Sequence, residues 1–542
     1  MIVYYKGIKG LPMFTNKKSL LALSVASAFA LTGCFSDDDG NDYTPPGPGP
    51  DPVVVVPPQT PAELNFIVNV AVVNGDSDAI ADATVRFVEN GAPSTNIVDV
   101  DGNVVQTATT TEDGGFIVTV KSGSELSSVT AVVSAAGFIT KSFNVDLSNE
   151  DELSVLPAQF QLTSTDTAGL ASVATASTDI SGSTTTAEVK ADAAVSGASL
   201  ATATLPTGIT LQNAAGEAVT GDSISLSVVG TDPTSSTKSS VIPEGLNVGN
   251  TSANVLVPVS VADVNLLVGD TKVKKFAGDT LKVTLAAPTD LAAGETLTVK
   301  SFDDETGLWS ADDFAVTQGT GTVSFETNHL TWFAVNRNAN TCTDGFSVNV
   351  TSGTIPAGGL YLSALSSDGS VSSFIRGGAT SKTVVSAATT LRYGIYDGAT
   401  ARVRLFDREG GTWFDSQTEV GVCGSVDLTP VAPFTLVNKE LTLTGACSND
   451  ADVAVNVTNS TVSFKRAGKA ARAAIKDANG NFQLTNLREG ENYDVTVNFR
   501  GLPVEGANTF TIEGANADAL TQAFQFTCPT STGGTGGTGG NG

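Results

Sequence analysis

Beyond residue 62 the chain offers no long amphipathic helix. Short runs rich in Val, Thr, Ile and Phe alternate with Gly, Asp, Asn and Pro all the way to the C-terminal region. Residues 66–73 (FIVNVAVV), 280–286 (TLKVTLA) and 295–302 (ETLTVKSF) are examples. Runs of four to eight β-branched or aromatic residues bounded by turn formers predict strands, and many of them at close spacing predict β-sandwiches. A chain of 542 residues has room for three or four such domains. The expected fold class is therefore all-β, with tandem β-sandwich domains following a disordered N-terminal tether.

The turns divide the chain. Residues 63–165 read as a first sandwich, and residues 166–185, rich in Ala, Ser and Thr, as a linker. Residues 186–340 read as a second sandwich, residues 341–425 as a third and residues 438–529 as a fourth. Residues 530–542 (TSTGGTGGTGGNG) read as a flexible tail. In the first unit, Asp113-Gly114-Gly115-Phe116, Ala136-Gly137-Phe138 and Phe160-Gln161-Leu162 resemble the carboxypeptidase regulatory-like domain, a transthyretin-like sandwich. The fourth resembles it more closely, through the stretch from Asp477-Ala478-Asn479-Gly480-Asn481 to Tyr493-Asp494-Val495. The resemblance implies Ig-like or transthyretin-like sandwiches with structural or adhesive roles.

Five cysteines are present. One, Cys34, belongs to the N-terminal segment. The other four are Cys342, Cys423, Cys447 and Cys528. Four cysteines allow three pairings. The interval from Cys342 to Cys423 equals that from Cys447 to Cys528, which favours sequential disulfides, each clasping the first and last strands of one domain. No two cysteines stand at the close spacing of a zinc site.

The N-terminus reads as an address. Lys17 and Lys18 precede an apolar run over residues 20–31, too short to span a bilayer but suited to a signal peptide. The run ends in Leu31-Thr32-Gly33-Cys34, which resembles the lipobox of bacterial lipoproteins. That resemblance implies a signal peptide over residues 1–33, acylation at Cys34 and, with Phe35 rather than Asp following, sorting to the outer membrane of a Gram-negative cell. Residues 34–62, acidic and then Pro-rich, read as a tether. Asp37-Asp38-Asp39 in the tether and Asp99, Asp101 and Asn103 beyond it could contribute oxygens to Ca²⁺, but neither set supplies the six converging ligands the ion requires. No other cofactor is expected. The formal charge of −27 excludes nucleic acid as a charge-driven partner.

His329 is the chain's single histidine, so any histidine chemistry must use it. His329-Leu330-Thr331 followed by Phe333-Ala334-Val335, with Trp309 upstream, resembles the cleavage site of the autoproteolysis-inducing sandwich of adhesion receptors. The resemblance implies that His329 takes the Thr331 proton and that Thr331 attacks the Leu330 carbonyl, giving an ester opened by water. The cysteines that staple the receptor motif are missing, and the alternative is a histidine that simply ends a buried strand. Residues 407–415 (DREGGTWFD) echo residues 304–312 (DETGLWSAD), so both are expected to form a hairpin with a Gly-x-Trp element. The resulting expectation is a lipid-anchored envelope protein for binding, adhesion or structure, without substrate catalysis. Its partners would be the membrane, through the anchor, and another envelope protein or a glycan. The alternatives are a protein that cuts itself between Leu330 and Thr331, and a carbohydrate-binding accessory lipoprotein using Trp332 and Trp413.

Overall fold

The computed structural model describes residues 53–532, apart from residues 65, 149–153, 172–173, 251 and 516. The signal segment 1–33, Cys34, Asp37-Asp38-Asp39 and residues 533–542 lie outside the described residues. The fold is all-β: four sandwiches follow one another, and the two helices among the described residues, Thr237–Val241 and Thr390–Tyr393, are each about one turn long.

In the first sandwich one sheet runs in the order Val155–Gln161, Ile67–Val73, Gly115–Val120, Ile97–Val98. The facing sheet is built on Thr84–Glu89, Ser128–Ser134 and Lys141–Asp146. Val70, Val72, Val85, Ala131 and Val133 fill the space between them at 0% exposure. Ile67–Val73 is buried at all seven positions, so its continuous apolar run has the pattern of a strand covered on both faces. One face makes the core. The other packs Ala71 and Val73 against Ala470 of the fourth sandwich, and the Asn69 side-chain oxygen accepts the Ala473 N–H at 2.9 Å.

The second sandwich pairs a ten-stranded sheet with a five-stranded one. Ala174–Ser181, inside the stretch read from composition as a linker, is a strand of the larger sheet, antiparallel to Ser223–Gly230. Its small Ala, Ser and Thr side chains alternate between half-buried and exposed, so the pairing is carried by backbone bonds and little by apolar bulk. Asn254–Val268, fifteen residues long, lies between Ser223–Gly230 and Trp332–Asn340. A bulge at Pro258 and Ser260 shifts its register. Lys238, 1% exposed, donates there to the carbonyls of Pro258 (2.8 Å) and Val259 (3.2 Å). The bulge thus hands its carbonyls to a buried ammonium instead of to a ladder partner.

In the third and fourth sandwiches the first and last strands run parallel and adjacent: Phe346–Val350 with Gly424–Leu428, and Leu436–Cys447 with Leu520–Phe526. A disulfide joins each pair, Cys342–Cys423 with Cα atoms 5.7 Å apart and Cys447–Cys528 with Cα atoms 5.5 Å apart. The equal separations of 81 residues hide a difference. The first bond sits ahead of its two strands, whereas Cys447 ends its strand and Cys528 follows the other.

Five connections share one loop geometry. Asn74, Asp99, Asn213, Asp407 and Asp477 each accept, through Oδ1, the N–H four residues on, at 2.8–3.0 Å. The fourth loop position is left-handed in all five: Ser77 at φ 60°, and Gly102, Gly216, Gly410 and Gly480 at 84–90°. The Asx side chain closes the loop and glycine supplies the positive φ without strain. Asp99 is therefore occupied by the N–H groups of Asp101 and Asn103, at 2.9 and 2.8 Å. Among the described residues no cluster of His, Cys, Asp or Glu is arranged to hold a metal.

Both ends of the described chain depart from the tether and tail expected of them. Val53–Val55 forms a two-stranded sheet with Thr530–Thr532, and the Val56 N–H donates to the Pro529 carbonyl at 3.0 Å. Residues 57–63 continue along the fourth sandwich: Asn459 Nδ2 donates to Pro61 O at 2.9 Å, Arg500 donates to the Ala62 carbonyl, and Lys476 pairs with Glu63 at 2.6 Å. The four valines at 53–56 are the one strand-forming run in an otherwise Pro-rich, acidic stretch.

Burial pushes the Lys238 pKa down to about 8, below its unfolded value near 10.4. A group depressed in this way contributes stability above the unfolded pKa and loses it as pH falls through the folded one. Wild type should therefore gain stability relative to Lys238→Met by about 3 kcal/mol between pH 7 and pH 10.5. Urea titrations of both proteins across that range check this, and a pH-independent difference would refute it.

Candidate functional site

His329 stands at the corner where the chain passes from Thr322–Thr327 in the smaller sheet of the second sandwich to Trp332–Asn340 in the larger one. The corner is pinned by Phe276 N–H donating to Asn328 O (2.8 Å) and Leu330 N–H donating to Lys274 O (3.0 Å). The imidazole lies between Phe314 and Phe333, with ring centroids 5.6 and 5.4 Å away. Its Nδ1 is 3.3 Å from Thr327 Oγ1 and 3.3 Å from Asn328 Oδ1. Nε2 faces Asp312 at 3.9 Å. Burial lowers the His329 pKa and raises that of Asp312, so each is shifted toward its neutral form.

Thr331 points elsewhere. Its hydroxyl donates to the Phe302 carbonyl on the neighbouring strand, and among the described residues no hydrogen bond joins it to His329. Leu330, whose carbonyl would be attacked, is 4% exposed in the core of the second sandwich. None of the three residues adopts a left-handed φ. The motif is thus adjacent in sequence but divided in space, with base and hydroxyl each engaged by a different partner. The two tryptophans considered as sugar platforms are also committed to packing. Trp332 is 4% and Trp413 6% exposed, and a covered indole has no face to offer a sugar ring.

The echoed hairpins are where the polar chemistry concentrates, and they grip the first sandwich from its two sheets. In the Asp304 hairpin, Arg86 of the first sandwich donates to Glu305 O at 2.7 Å and also to Asp304 O. Behind it, Trp309 packs on Phe302 with ring centroids 5.3 Å apart and donates Nε1–H to Glu244 O at 3.2 Å. The Asp407 loop enters on the other side, against Ile67–Val73. A Cβ on Gly410 would stand 2.8 Å from the Asp76 carbonyl, so this approach requires glycine.

Asp407, Arg408 and Glu409 are each 6% exposed. Successive side chains at the loop tip go to opposite sides. Glu409 is met by three arginines of the fourth sandwich: Arg466 Nε at 2.9 Å, Arg472 Nη2 at 3.0 Å and Arg488 Nε at 3.1 Å. Asp407 receives Trp413 Nε1–H at 3.3 Å and Arg488 Nη2 at 3.4 Å. Arg408 turns to the first sandwich and donates to Asn69 O at 3.4–3.5 Å. The hairpin is legible in the Gly-x-Trp echo. Burial of the carboxylate is not legible there, because all three arginines come from one unit and the glutamate from another.

No family model matches the chain, and no curated protein does. Several solved structures resemble it weakly. A minor pilin of Streptococcus agalactiae is 9% identical, with 34% of this chain and 98% of that one covered and a TM-score of 0.15. The full-length major pilin SpaD of Corynebacterium diphtheriae is 7% identical, with 86% and 98% covered and a TM-score of 0.15. The full-length RrgB pilus protein of Streptococcus pneumoniae is 9% identical, with 87% and 100% covered and a TM-score of 0.13.

Removing one partner of a buried ion network leaves the others uncompensated, at a cost of about 3–5 kcal/mol. Glu409→Ala should lose that much stability and expose the junction of the first, third and fourth sandwiches to limited proteolysis. An unchanged urea midpoint and protease pattern would show that the clamp contributes nothing.

Proposed function

We propose that the chain is a lipid-anchored protein of the cell envelope, structural or adhesive in role and without catalysis on a substrate. The observation that carries this reading is the docking of the Asp304 and Asp407 hairpins on opposite sheets of the first sandwich. It braces the sandwiches against one another, through buried side chains at the Asp407 loop and through half-buried Arg86 at the Asp304 hairpin. Such a body suits the presentation of a fixed surface. The anchor rests on the sequence from Leu31 to Cys34 and on the acylation that a lipobox implies, with several acyl chains needed for firm attachment. The partner in this reading is another envelope protein or a glycan.

The engagement of Thr331 by Phe302, and of His329 by Thr327 and two aromatic rings, supports an uncut chain. Fractionation and intact-mass measurement test both parts. Wild type should sediment with outer membranes as one polypeptide beginning at acylated Cys34, and Cys34→Ala should carry no acyl chains and be lost from the outer-membrane fraction. Membrane association of Cys34→Ala equal to wild type would overturn the anchor. Two fragments meeting at Leu330 and Thr331 would replace this reading with self-processing.

A further inference from the structure

Arg408 is buried without a counter-charge. Its Nη1 donates to the Tyr361 hydroxyl at 3.1 Å, and the remaining bonds go to the Asn69 carbonyl. Among the described residues no carboxylate pairs with it and its Nε–H has no acceptor. Tyr361, 9% exposed, accepts from Arg408, and among the described residues no acceptor takes its own proton. An isolated guanidinium held out of water is costly. The carboxylates that could compensate it, Asp407 and Glu409, are taken up by the arginines of the fourth sandwich.

These two groups line a cavity of about 240 Å³ between the first, third and fourth sandwiches. Its wall is largely apolar and aromatic, including Pro157, Phe374 and Phe464. Its rim carries the exposed Ala357, Gly377 and Ile475, so the cavity opens to solvent. An apolar cleft with a few convergent polar groups is the usual form of a small-ligand site. The charged side chains on its wall, Arg376, Arg408 and Arg472, are all cationic, in a chain with 56 acidic and 29 basic residues.

We propose that this cavity binds a small organic carboxylate. The ligand's carboxylate pairs with the Arg408 guanidinium and takes the Tyr361 proton in a hydrogen bond, and its apolar body lies against the half-buried Pro157 and Phe374. A planar guanidinium fork matches a carboxylate's two oxygens. The aromatic wall favours an organic anion over a fully hydrated inorganic one. This assignment does not depend on the anchor or on the integrity of the chain at Leu330.

Isothermal titration calorimetry and thermal melting of the mature full chain test it, with benzoate as probe, benzamide as its neutral counterpart and inorganic phosphate as the competing anion. Benzoate should bind one to one and raise the melting temperature, and neither benzamide nor phosphate should do so. Tyr361→Phe, which keeps the ring, should weaken benzoate about 3- to 10-fold. Arg408→Gln should weaken it by more than about 10-fold; if that variant does not fold, Tyr361→Phe decides alone. The proposal is overturned by the absence of benzoate binding, by equal binding of benzamide, by binding of phosphate in preference to benzoate, or by unchanged benzoate affinity in Tyr361→Phe.

Discussion

The packing of the first, third and fourth sandwiches depends on the burial of one strand on both of its faces. A strand at the surface of a sandwich ordinarily gives one face to the core and one to water. Ile67–Val73 gives neither to water. Its outer face receives Ala470 from the fourth sandwich and lies beside the Asp407 loop of the third. Only small or β-branched side chains on that face allow so close an approach, and Ala71 and Val73 provide them. Asn69 supplies the polar bonds that a buried backbone and a buried loop both need.

Charge follows the same logic at the junction. Glu409 and Asp407 are stable when buried because arginines from both sheets of the fourth sandwich converge on them, and two of these, Arg472 and Arg488, also lie over aromatic faces. Arg472 lies 4.5 Å from the Phe464 ring centroid and Arg488 3.8 Å from that of Phe434. The desolvation of the acid is thus offset by three guanidinium partners, two of them resting on rings. The lysine at the Pro258 bulge shows the complementary case. There a cation is held by two backbone carbonyls, and burial lowers its pKa.

Some of this was legible in the residues. The β class followed from the short Val-, Thr- and Phe-rich runs. The equal cysteine intervals pointed to the pairing found, although the two bonds sit at different ends of their strands. The Asx-to-glycine loops could be read at Asp99 and Asp477, where the acid and the glycine stand at fixed spacing. What stayed hidden involves contact between distant segments. Ala174–Ser181 looks like a linker because its pairing is carried by backbone bonds, which composition does not report. Residues 53–56 look like tether because their partner strand lies more than 470 residues away. His329-Leu330-Thr331 looks like a reactive triplet because sequence places the three together, whereas Thr327 and Phe302 draw the side chains of the outer two to different partners.

The pairing of Val53–Val55 with Thr530–Thr532 bears on mechanics. In a string of domains, tension between the two ends passes through every domain in turn, and the weakest yields first. Here the two ends of the described chain meet in one short ribbon, so tension between them falls on that ribbon and the Val56–Pro529 bond before it reaches any sandwich. Until the ribbon parts, the hydrophobic cores and both disulfides are bypassed. A pull on one end against a contact made elsewhere on the body takes a different route, through the junctions at Arg86 and Glu409. The same protein is thereby compliant to one direction of load and stiff to another.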